Sequence, residues 1–346
     1  MKDSTHIVIM AGGIGSRLWP LSTPRMPKQF IDVLGTGKSL IRMTLERFLP
    51  VASHFWVVTS GRYVATVKEH LPEIPDEQIL AEPEPRNTAP CIAYACWKIR
   101  SRYPDANIVV TPSDALVLDR EVFTDAISKA LAVTAESNAI VTVGITPSRP
   151  ETGYGYIHTS SRVSGEVVKV LEFKEKPDLD TARKYLADGA YLWNAGIFVW
   201  NVRTIMDEIR AHAPQIAEVM DRLAPSFYTQ REVEEVNAHF SECEKISIDY
   251  AVMEKSQNIH TIACNPAWSD LGSWSALGEH IASDADGNAV VGQDVRIFDS
   301  RDCIVHADGA KTVVVQGLED CIVALRDGNL LICRRSSEQH IKEYSA

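Results

Sequence analysis

The sequence predicts an α/β protein: a mainly parallel sheet covered by helices, followed by a small β-rich C-terminal piece. Three observations carry this expectation. From Ile7 to Ile145, short and continuously apolar runs alternate with stretches of helical period, the pattern of parallel strands buried on both faces. From Gly153 that rhythm gives way to closely spaced strands joined through turn residues. Near residue 284 the composition shifts to Asp-Ala-Asp-Gly-Asn, and beyond it Asp302-Cys303-Ile304-Val305 recurs as Asp320-Cys321-Ile322-Val323. The expected domains are therefore 1–283 and 284–346. The 18-position repeat equals three hexapeptides, one coil of a β-helix, although an ordinary hairpin domain explains so short a repetition equally well. Two copies cannot form a self-sufficient solenoid, so the tail is expected to pack on the large domain or on a second subunit.

The elements follow in order. Ile7–Ala11 is a first strand that stops at Gly12, Gly13 and Gly15. Ser39 can cap a helix running to Phe48, with Leu40, Met43 and Phe48 on its apolar face. Strand 55–59, helix 63–71 and strand 78–82 lead to the Pro-rich loop 83–90 and a helix over 91–102. Strand 107–111 ends at Pro112-Ser113-Asp114, and helix 121–137 and strand 139–145 continue the alternation. Strands are then expected at 154–158, 167–173, 191–200 and 260–264, and helices at 181–187, 202–223, 233–240 and from 248 to 254. Ligand crevices in such sheets lie at the C-terminal ends of strands, where both the glycine loop and Asp114 fall.

Bulk properties narrow the function. The 346 residues carry 45% hydrophobic and 23% charged residues, and the mean hydropathy is -0.09, as in a soluble globular chain. A net charge of -11 argues against nucleic acid and anionic membranes, which demand an extended basic surface. Seven scattered cysteines without a Cys-x-x-Cys pair, and no signal segment, point to reduced thiols in a cytoplasmic protein. No apolar run is long enough to span a bilayer, and no Cys/His grouping suggests structural zinc.

The glycine loop is an anion cradle: glycines let backbone N–H groups approach a bulky anion, and Arg17, Arg25 and Lys28 follow. It fits two familiar patterns badly. A dinucleotide fingerprint would need glycine where Leu18 stands, and Pro20 interrupts the helix it should open. Gly37-Lys38-Ser39 resembles the end of a P-loop, but Asp32 occupies the place of its first glycine. A strand followed by Gly-Gly-x-Gly-x-Arg and a lysine fits a nucleoside triphosphate held by backbone amides.

Residues 11–22 (AGGIGSRLWPLS), followed by Pro27-Lys28-Gln29-Phe30, closely resemble the signature of the mannose-1-phosphate guanylyltransferases, within the sugar-phosphate nucleotidyltransferases. Further motifs come in the family's order: Pro85-Arg86-Asn87-Thr88-Ala89-Pro90, Pro112-Ser113-Asp114, Glu151 to Ile157, Phe173-Lys174-Glu175-Lys176-Pro177, Trp193 to Phe198 and Trp268 to Trp274. Ala115, Lys174 and Ala195 depart from the residues most common there, without removing an expected charge. The resemblance implies a Rossmann-like mixed, mainly parallel sheet with a β-helix-like C-terminal domain. It implies transfer of GMP from GTP to mannose 1-phosphate with Mg²⁺, yielding GDP-mannose and pyrophosphate, in a homodimer. Bifunctional relatives add an isomerase domain for which this chain is too short, so isomerase activity is not expected.

Nucleotidyl transfer needs no protein nucleophile, because the acceptor phosphate already is one; the protein must hold two repelling anions and neutralise developing charge. Asp114 and Asp270 are the expected catalytic carboxylates and Mg²⁺ ligands; a lone Asp after a strand is usually a cap, and the resemblance decides for both. Gly12, Gly13, Gly15, Arg17 and Lys28 are expected on the triphosphate, Arg17 and Lys28 stabilising the departing pyrophosphate. Arg86, Asn87 and Thr88 are assigned to the nucleotide, with loop capping as the competing reading. Glu175 and Lys176 suit a sugar phosphate, the carboxylate accepting from hydroxyls and the ammonium meeting phosphate. Asn194 can serve vicinal hydroxyls, and Gly153 and Gly155 allow close backbone approach. Trp193, Trp200, Trp268 and Trp274 are read as core.

Overall fold

The protein is described from a computed structural model, over residues 2–160, 165–309 and 311–344. In chain order the strands are β1 (Thr5–Ala11), β2 (His54–Ser60), β3 (Ile79–Glu82), β4 (Asn107–Pro112), β5 (Leu116–Val117), β6 (Ile140–Ile145), β7 (Tyr156–Thr159), β8 (Val167–Lys174), β9 (Tyr191–Asn201), β10 (Ile259–Ala263) and β11 (Trp268–Ser269). The tail adds β12 (Ala289–Gly292), β13 (Val295–Phe298), β14 (Ile304–Ala307), β15 (Val313–Gln316), β16 (Cys321–Arg326) and β17 (Asn329–Arg334). The helices are α1 (Leu40–Phe48), α2 (Val64–His70), α3 (Thr88–Arg102), α4 (Arg120–Glu136), α5 (Leu179–Asp188), α6 (Val202–His212), α7 (Pro214–Leu223), α8 (Glu232–His239), α9 (Trp274–Gly278) and α10 (Ile341–Tyr344).

These elements form two compact units. The first takes the chain up to Gly12, Leu45–Ser113 and Val117–Trp268; the second takes Gly13–Thr44, Asp114–Leu116 and everything from Ser269. The expected boundary near residue 284 falls inside the second unit, in a turn where Asp284 Oδ1 accepts from the Asp286 and Asn288 N–H groups.

The first unit is built on one mixed sheet in the order β3-β2-β1-β4-β9-β6-β10-β8-β7, with β7 also pairing to β9. Strands β3, β2, β1 and β4 run parallel, as do β6 and β10, while β9, β8 and β7 pair antiparallel with their neighbours. The sheet is thus less parallel than the strand–helix rhythm suggests. That rhythm holds only to β6, and the later strands arrive by turns or from outside the alternation. Neighbouring strands β1 and β4 end level, with Met10 opposite Pro112, so the glycine loop and Asp114 both leave from that end. Ile7, Val8, Ile9, Ile108, Val109 and Val110 are fully buried, as a sheet covered on both faces requires.

Three element expectations are corrected. The helix expected over 202–223 breaks at Ala213, because Pro214 has no N–H and disfavours a helical conformation in the residue before it; α7 restarts with Pro214 in its first turn. Helix α3 begins at Thr88, not Cys91, because Asn87 caps it with its side chain. The stretch expected as a helix from Ile248 is a single π-helical turn, Asp249–Met253, closed by Glu254 N–H on Asp249 O at 2.9 Å.

In the second unit, Leu18, Leu21, Ile31, Leu40, Trp274 and Leu277 share one buried cluster with Ala289, Ile304, Ile322 and Leu331. The tail strands therefore share a core with the segment that carries the glycine loop. They form the sheet β12-β14-β16-β17 and the pair β13-β15. The repeat is visible in their parallel registers: Ile304 lies opposite Ile322 and Val295 opposite Val313, each 18 positions on. The seven cysteines are all free, and no helix among the described residues is long and apolar enough to cross a membrane.

Candidate active site

Most of the residues singled out from the sequence fall into two clusters, one in each unit. In the second unit the glycine loop closes on Lys28. Gly15 sits at φ 74, in the left-handed region, and a Cβ there would lie 2.7 Å from Lys28 Cβ, so only glycine fits. Gly15 O accepts from the Ser22 hydroxyl and from Leu18 N–H at 3.1 Å. Two bonds then tie the loop to the lysine segment: Lys28 N–H donates to Ile14 O at 3.1 Å, and Gln29 Nε2 to Gly13 O at 3.0 Å. Gly13 is exposed, with nothing within 4 Å of where a Cβ would stand. Arg17 is exposed and makes no ion pair among the described residues.

Lys28 is buried, and its ammonium is met from two distant segments. Nζ is 2.9 Å from Asp114 Oδ2, donates to Asp270 O at 2.6 Å and lies 3.4 Å from Leu271 O. A buried ammonium requires such partners, since leaving it unpaired costs several kcal/mol (about 3–5). The turn that supplies the carbonyls is strained: buried Leu271 has φ 45, a region leucine rarely adopts. Asp270 Oδ1 accepts from Gly272 N–H at 3.0 Å, and a Cβ at 272 would stand 2.4 Å from Asp270 Oδ2. Asp114 and Asp270 are thus brought to the same lysine, one by its carboxylate and one by its main chain. Among the described residues no three His, Cys, Asp or Glu side chains gather as a metal site. Two carboxylates are nevertheless the hard oxygen donors Mg²⁺ takes alongside phosphate oxygens and water, so this donor set fits the ion.

The first unit holds the second cluster. Gly155 is bare where two side chains converge: a Cβ there would lie 2.5 Å from Glu175 Oε2, 3.3 Å from Asn194 Cβ and 3.6 Å from Asn194 Nδ2. Glu175 is buried and holds the half-exposed Lys176 by an ion pair with Nζ. Partial burial pulls the Lys176 ammonium down, but the hydrogen bond and charge of Glu175 outweigh it and raise its pKa above the usual lysine value. Lys176 too is strained, at φ 45. Gly153 N–H donates to Glu151 Oε1 at 3.0 Å.

The Arg86-Asn87-Thr88 group does structural work. Arg86 Nε donates to Glu84 Oε1 at 2.6 Å, Asn87 caps α3, and Thr88 Oγ1 accepts from Ile248 N–H at 2.9 Å. Trp193, Trp200 and Trp274 are buried as expected, while Trp268 is half-buried, its ring edge-to-face with Tyr154 at 5.4 Å.

The nucleotidyl transferase family pattern matches residues 6–287. The chain belongs to this family. It is 34% identical over 343 residues to the mannose-1-phosphate guanylyltransferase of Escherichia coli, covering 97% of this chain and 72% of that protein. Alginate biosynthesis protein AlgA of Pseudomonas aeruginosa is 36% identical over 343 residues, covering 97% and 70%. A solved structure from Thermus thermophilus, named mannose-1-phosphate geranyltransferase, matches with a TM-score of 0.88 at 30% identity, over 99% of this chain and 98% of that one. The resemblance read from the motifs is borne out, and this nucleotidyltransferase shares its mixed α/β fold with that structure over nearly its whole length.

Two side chains of this nucleotidyltransferase escaped the motif reading. Glu82, at the end of β3, is buried, with Oε1 unpartnered and Oε2 3.7 Å from where a Cβ on Gly12 would stand. Burial pushes its pKa up to about 8. An acidic residue closing an apolar strand was the available signal. Asp249 Oδ1 accepts from Asn194 Nδ2 at 3.2 Å. It was hidden because its stretch reads as the start of an ordinary helix.

Proposed function

We propose that this chain transfers GMP from GTP to α-D-mannose 1-phosphate, giving GDP-mannose and pyrophosphate with the help of Mg²⁺. The observation that carries the reading is Lys28: an ammonium held beside a glycine loop by an Asp114 carboxylate and an Asp270 carbonyl. In this reading Gly12, Gly13 and Gly15 give backbone access to the triphosphate. Arg17 and Lys28 neutralise the pyrophosphate as it leaves. Asp114 and Asp270 would hold Mg²⁺, which supplies charge neutralisation for the phosphates. The acceptor phosphate oxygen attacks the α-phosphorus as the bond to pyrophosphate breaks, so no protein group is acylated or phosphorylated. Glu175, Asn194 and the backbone at Gly153 and Gly155 address sugar hydroxyls, and Lys176 meets the acceptor phosphate.

Guanine is favoured by Glu82. A buried carboxyl group with an orphaned oxygen, held mainly neutral by its burial, is stabilised in its ionised form by two adjacent N–H donors, which guanine presents at N1 and N2 and which uracil, thymine and adenine do not. Arg86, Asn87 and Thr88 stay assigned to the nucleotide in the same reading. The groups that touch substrate lie within 1–283. Residues 284–346, with their 18-position parallel registers, are read as β-helix coils that meet a second copy in a homodimer, exposing Leu330 and Ile332 on β17 to it. With all thiols free, a cytoplasmic location fits.

The test is pyrophosphate release across the common nucleoside triphosphates and several hexose 1-phosphates, with and without Mg²⁺. Mg²⁺-dependent release with GTP and mannose 1-phosphate is expected. Preference for UTP, dTTP or glucose 1-phosphate would overturn the assignment. A second reading, a nucleotide-sugar sensor that keeps the fold without chemistry, is removed by any such release; the intact Asp114, Asp270, Lys28 and Lys176 argue against it.

A further inference from the structure

The second unit contains a cleft of about 1040 Å³, at the top of the range usual for small-ligand sites (about 300–1,000 Å³). Its walls come from residues 30–35, the segment after α9, and the turns that follow β12 and β14. Phe30, Ile31, Leu34, Ile281, Val290 and Val291 make its apolar side. The cleft lies outside the residues that address GTP, Mg²⁺ and mannose 1-phosphate.

Two polar groups in its wall are left incomplete. His306, on β14, is 3% exposed, and neither ring nitrogen has a hydrogen-bond partner among the described residues. Asp308, Arg326, the Val33 backbone and Asp32 are the polar groups near the ring, and none completes a hydrogen bond to it. Burial holds the imidazole neutral, lowering its pKa to about 4, so at neutral pH it offers one N–H and one bare nitrogen. Arg326, at the end of β16, is the second group: its Nε is buried without a hydrogen-bond partner. The guanidinium is held by long ion pairs, 3.5 Å from Nη1 to Asp308 Oδ2 and 3.9 Å from Nε to Asp327 Oδ2. Lys311 also lines the cleft, exposed and without an ion pair among the described residues. Of the two carboxylates there, Asp308 is the one beside Arg326. Asp32 is turned into its own loop, accepting from Thr36 N–H at 2.9 Å and from Gly37 N–H. Buried donors without partners are costly, so this wall is complementary to a ligand rich in acceptors.

We propose that this cleft binds a phosphoryl group, free or carried on an organic body, at His306, Arg326 and Lys311. The guanidinium fork and the imidazole N–H donate, the ammonium adds charge, and a phosphoryl group brings several acceptor oxygens in one small volume. The apolar side takes the organic body of a phosphate ester.

The experiment titrates the native chain with inorganic phosphate and, separately, with UMP, and follows amide hydrogen exchange in the turns after β12 and β14. UMP is used because uracil lacks the paired N–H donors assigned to Glu82. Both probes should slow exchange in these turns saturably, and chloride at equal ionic strength should not. Tighter binding of UMP than of phosphate identifies an ester as the ligand; UMP binding no more tightly identifies the free anion. Arg326→Gln should weaken the binding about tenfold and Lys311→Ala a few-fold, with Michaelis constants for GTP and mannose 1-phosphate changed by less than about twofold. His306 packs in the core, so these two less buried positions carry the mutational arm. Absence of saturable protection with either probe, equal protection by chloride, protection that both variants retain, or variants that weaken GTP to the same extent would overturn the inference. None of these outcomes depends on which substrates turn over, so the transferase reading stands or falls separately.

Discussion

Two lysines, each assigned to a phosphate, are held in opposite ways. The Lys28 side chain is 5% exposed, and its ammonium is fixed by Asp114 and by the carbonyls of Asp270 and Leu271, more than eighty positions away in one case and more than two hundred in the other. The Lys176 side chain is 57% exposed and is held by the residue just before it, Glu175. The donor cluster is assembled by long-range packing and so ties activity to stability. The acceptor cluster also gathers distant residues, Gly155, Glu175 and Asn194, but its lysine is ion-paired to its immediate neighbour, so that ammonium can be altered without unfolding the unit.

The sharpest way to break this comparison is to neutralise the two aspartates separately. Asp114→Asn and Asp270→Asn should each lower kcat by about 10²–10³-fold, since each removes a charge from the phosphate-neutralising set. Their stabilities should differ. Asp114 pairs through its carboxylate, so its loss leaves the buried ammonium short of a counter-charge and costs about 1–3 kcal/mol, discounted because the Asp114 side chain is 35% exposed. Asp270 pairs through its main-chain oxygen, which Asn retains. Steady-state kinetics with thermal melts should show both variants inactive and only Asp114→Asn melting several degrees lower. Near-native turnover of either at saturating Mg²⁺ would remove it from the catalytic set.

The next pair is smaller and crossed. Gly15→Ala places a Cβ 2.7 Å from Lys28 Cβ, on a backbone at φ 74, and must displace the lysine. Gly155→Ala places one 2.5 Å from Glu175 Oε2, with no left-handed backbone to strain. The first should weaken GTP by about 10–100-fold, the order expected of an ångström-scale displacement, with the acceptor constant little changed. The second should weaken mannose 1-phosphate by a similar factor and spare GTP. If both variants weakened the same substrate, the division of labour between the clusters would be wrong.

The sequence made some of this legible, for physical reasons. Apolar runs such as Ile7–Ile9 and Ile108–Val110 report burial directly, so the first sheet strands and the loop ends after them were readable. Caps at Asp119, Asp178 and Ser273, which each accept from a backbone N–H near their helix starts, were not named from the sequence, where Ser39 was the one expected cap. The break at Pro214 was readable in principle, but the apolar period running across it masked the proline. Pairing partners were not readable. Antiparallel β9 carries the same apolar signature as a parallel strand, and nothing local says that it inserts between β4 and β6. Glu82 and Asp249 escaped for a related reason: burial, and the partners a side chain finds or lacks, are properties of the folded surroundings that residue type alone does not reveal.

Gly13 offers the finest test, because it separates a glycine needed for a ligand from one needed for the fold. Its φ is not in the left-handed region, and nothing lies within 4 Å of where a Cβ would stand. Alanine is therefore tolerated by the folded protein and restricts the unfolded chain, which favours folding by about 0.4–1 kcal/mol. Gly13→Ala should melt at the native temperature or slightly above it. If the triphosphate lies against this backbone, the added methyl should raise the GTP constant a few-fold, with kcat and the acceptor constant unchanged. Gly15→Ala, by contrast, should lose stability and GTP binding together. A Gly13→Ala variant with native GTP binding would confine the anion-holding role to the backbone nearer Gly15 and Lys28, and would mark Gly13 as a glycine of the turn alone.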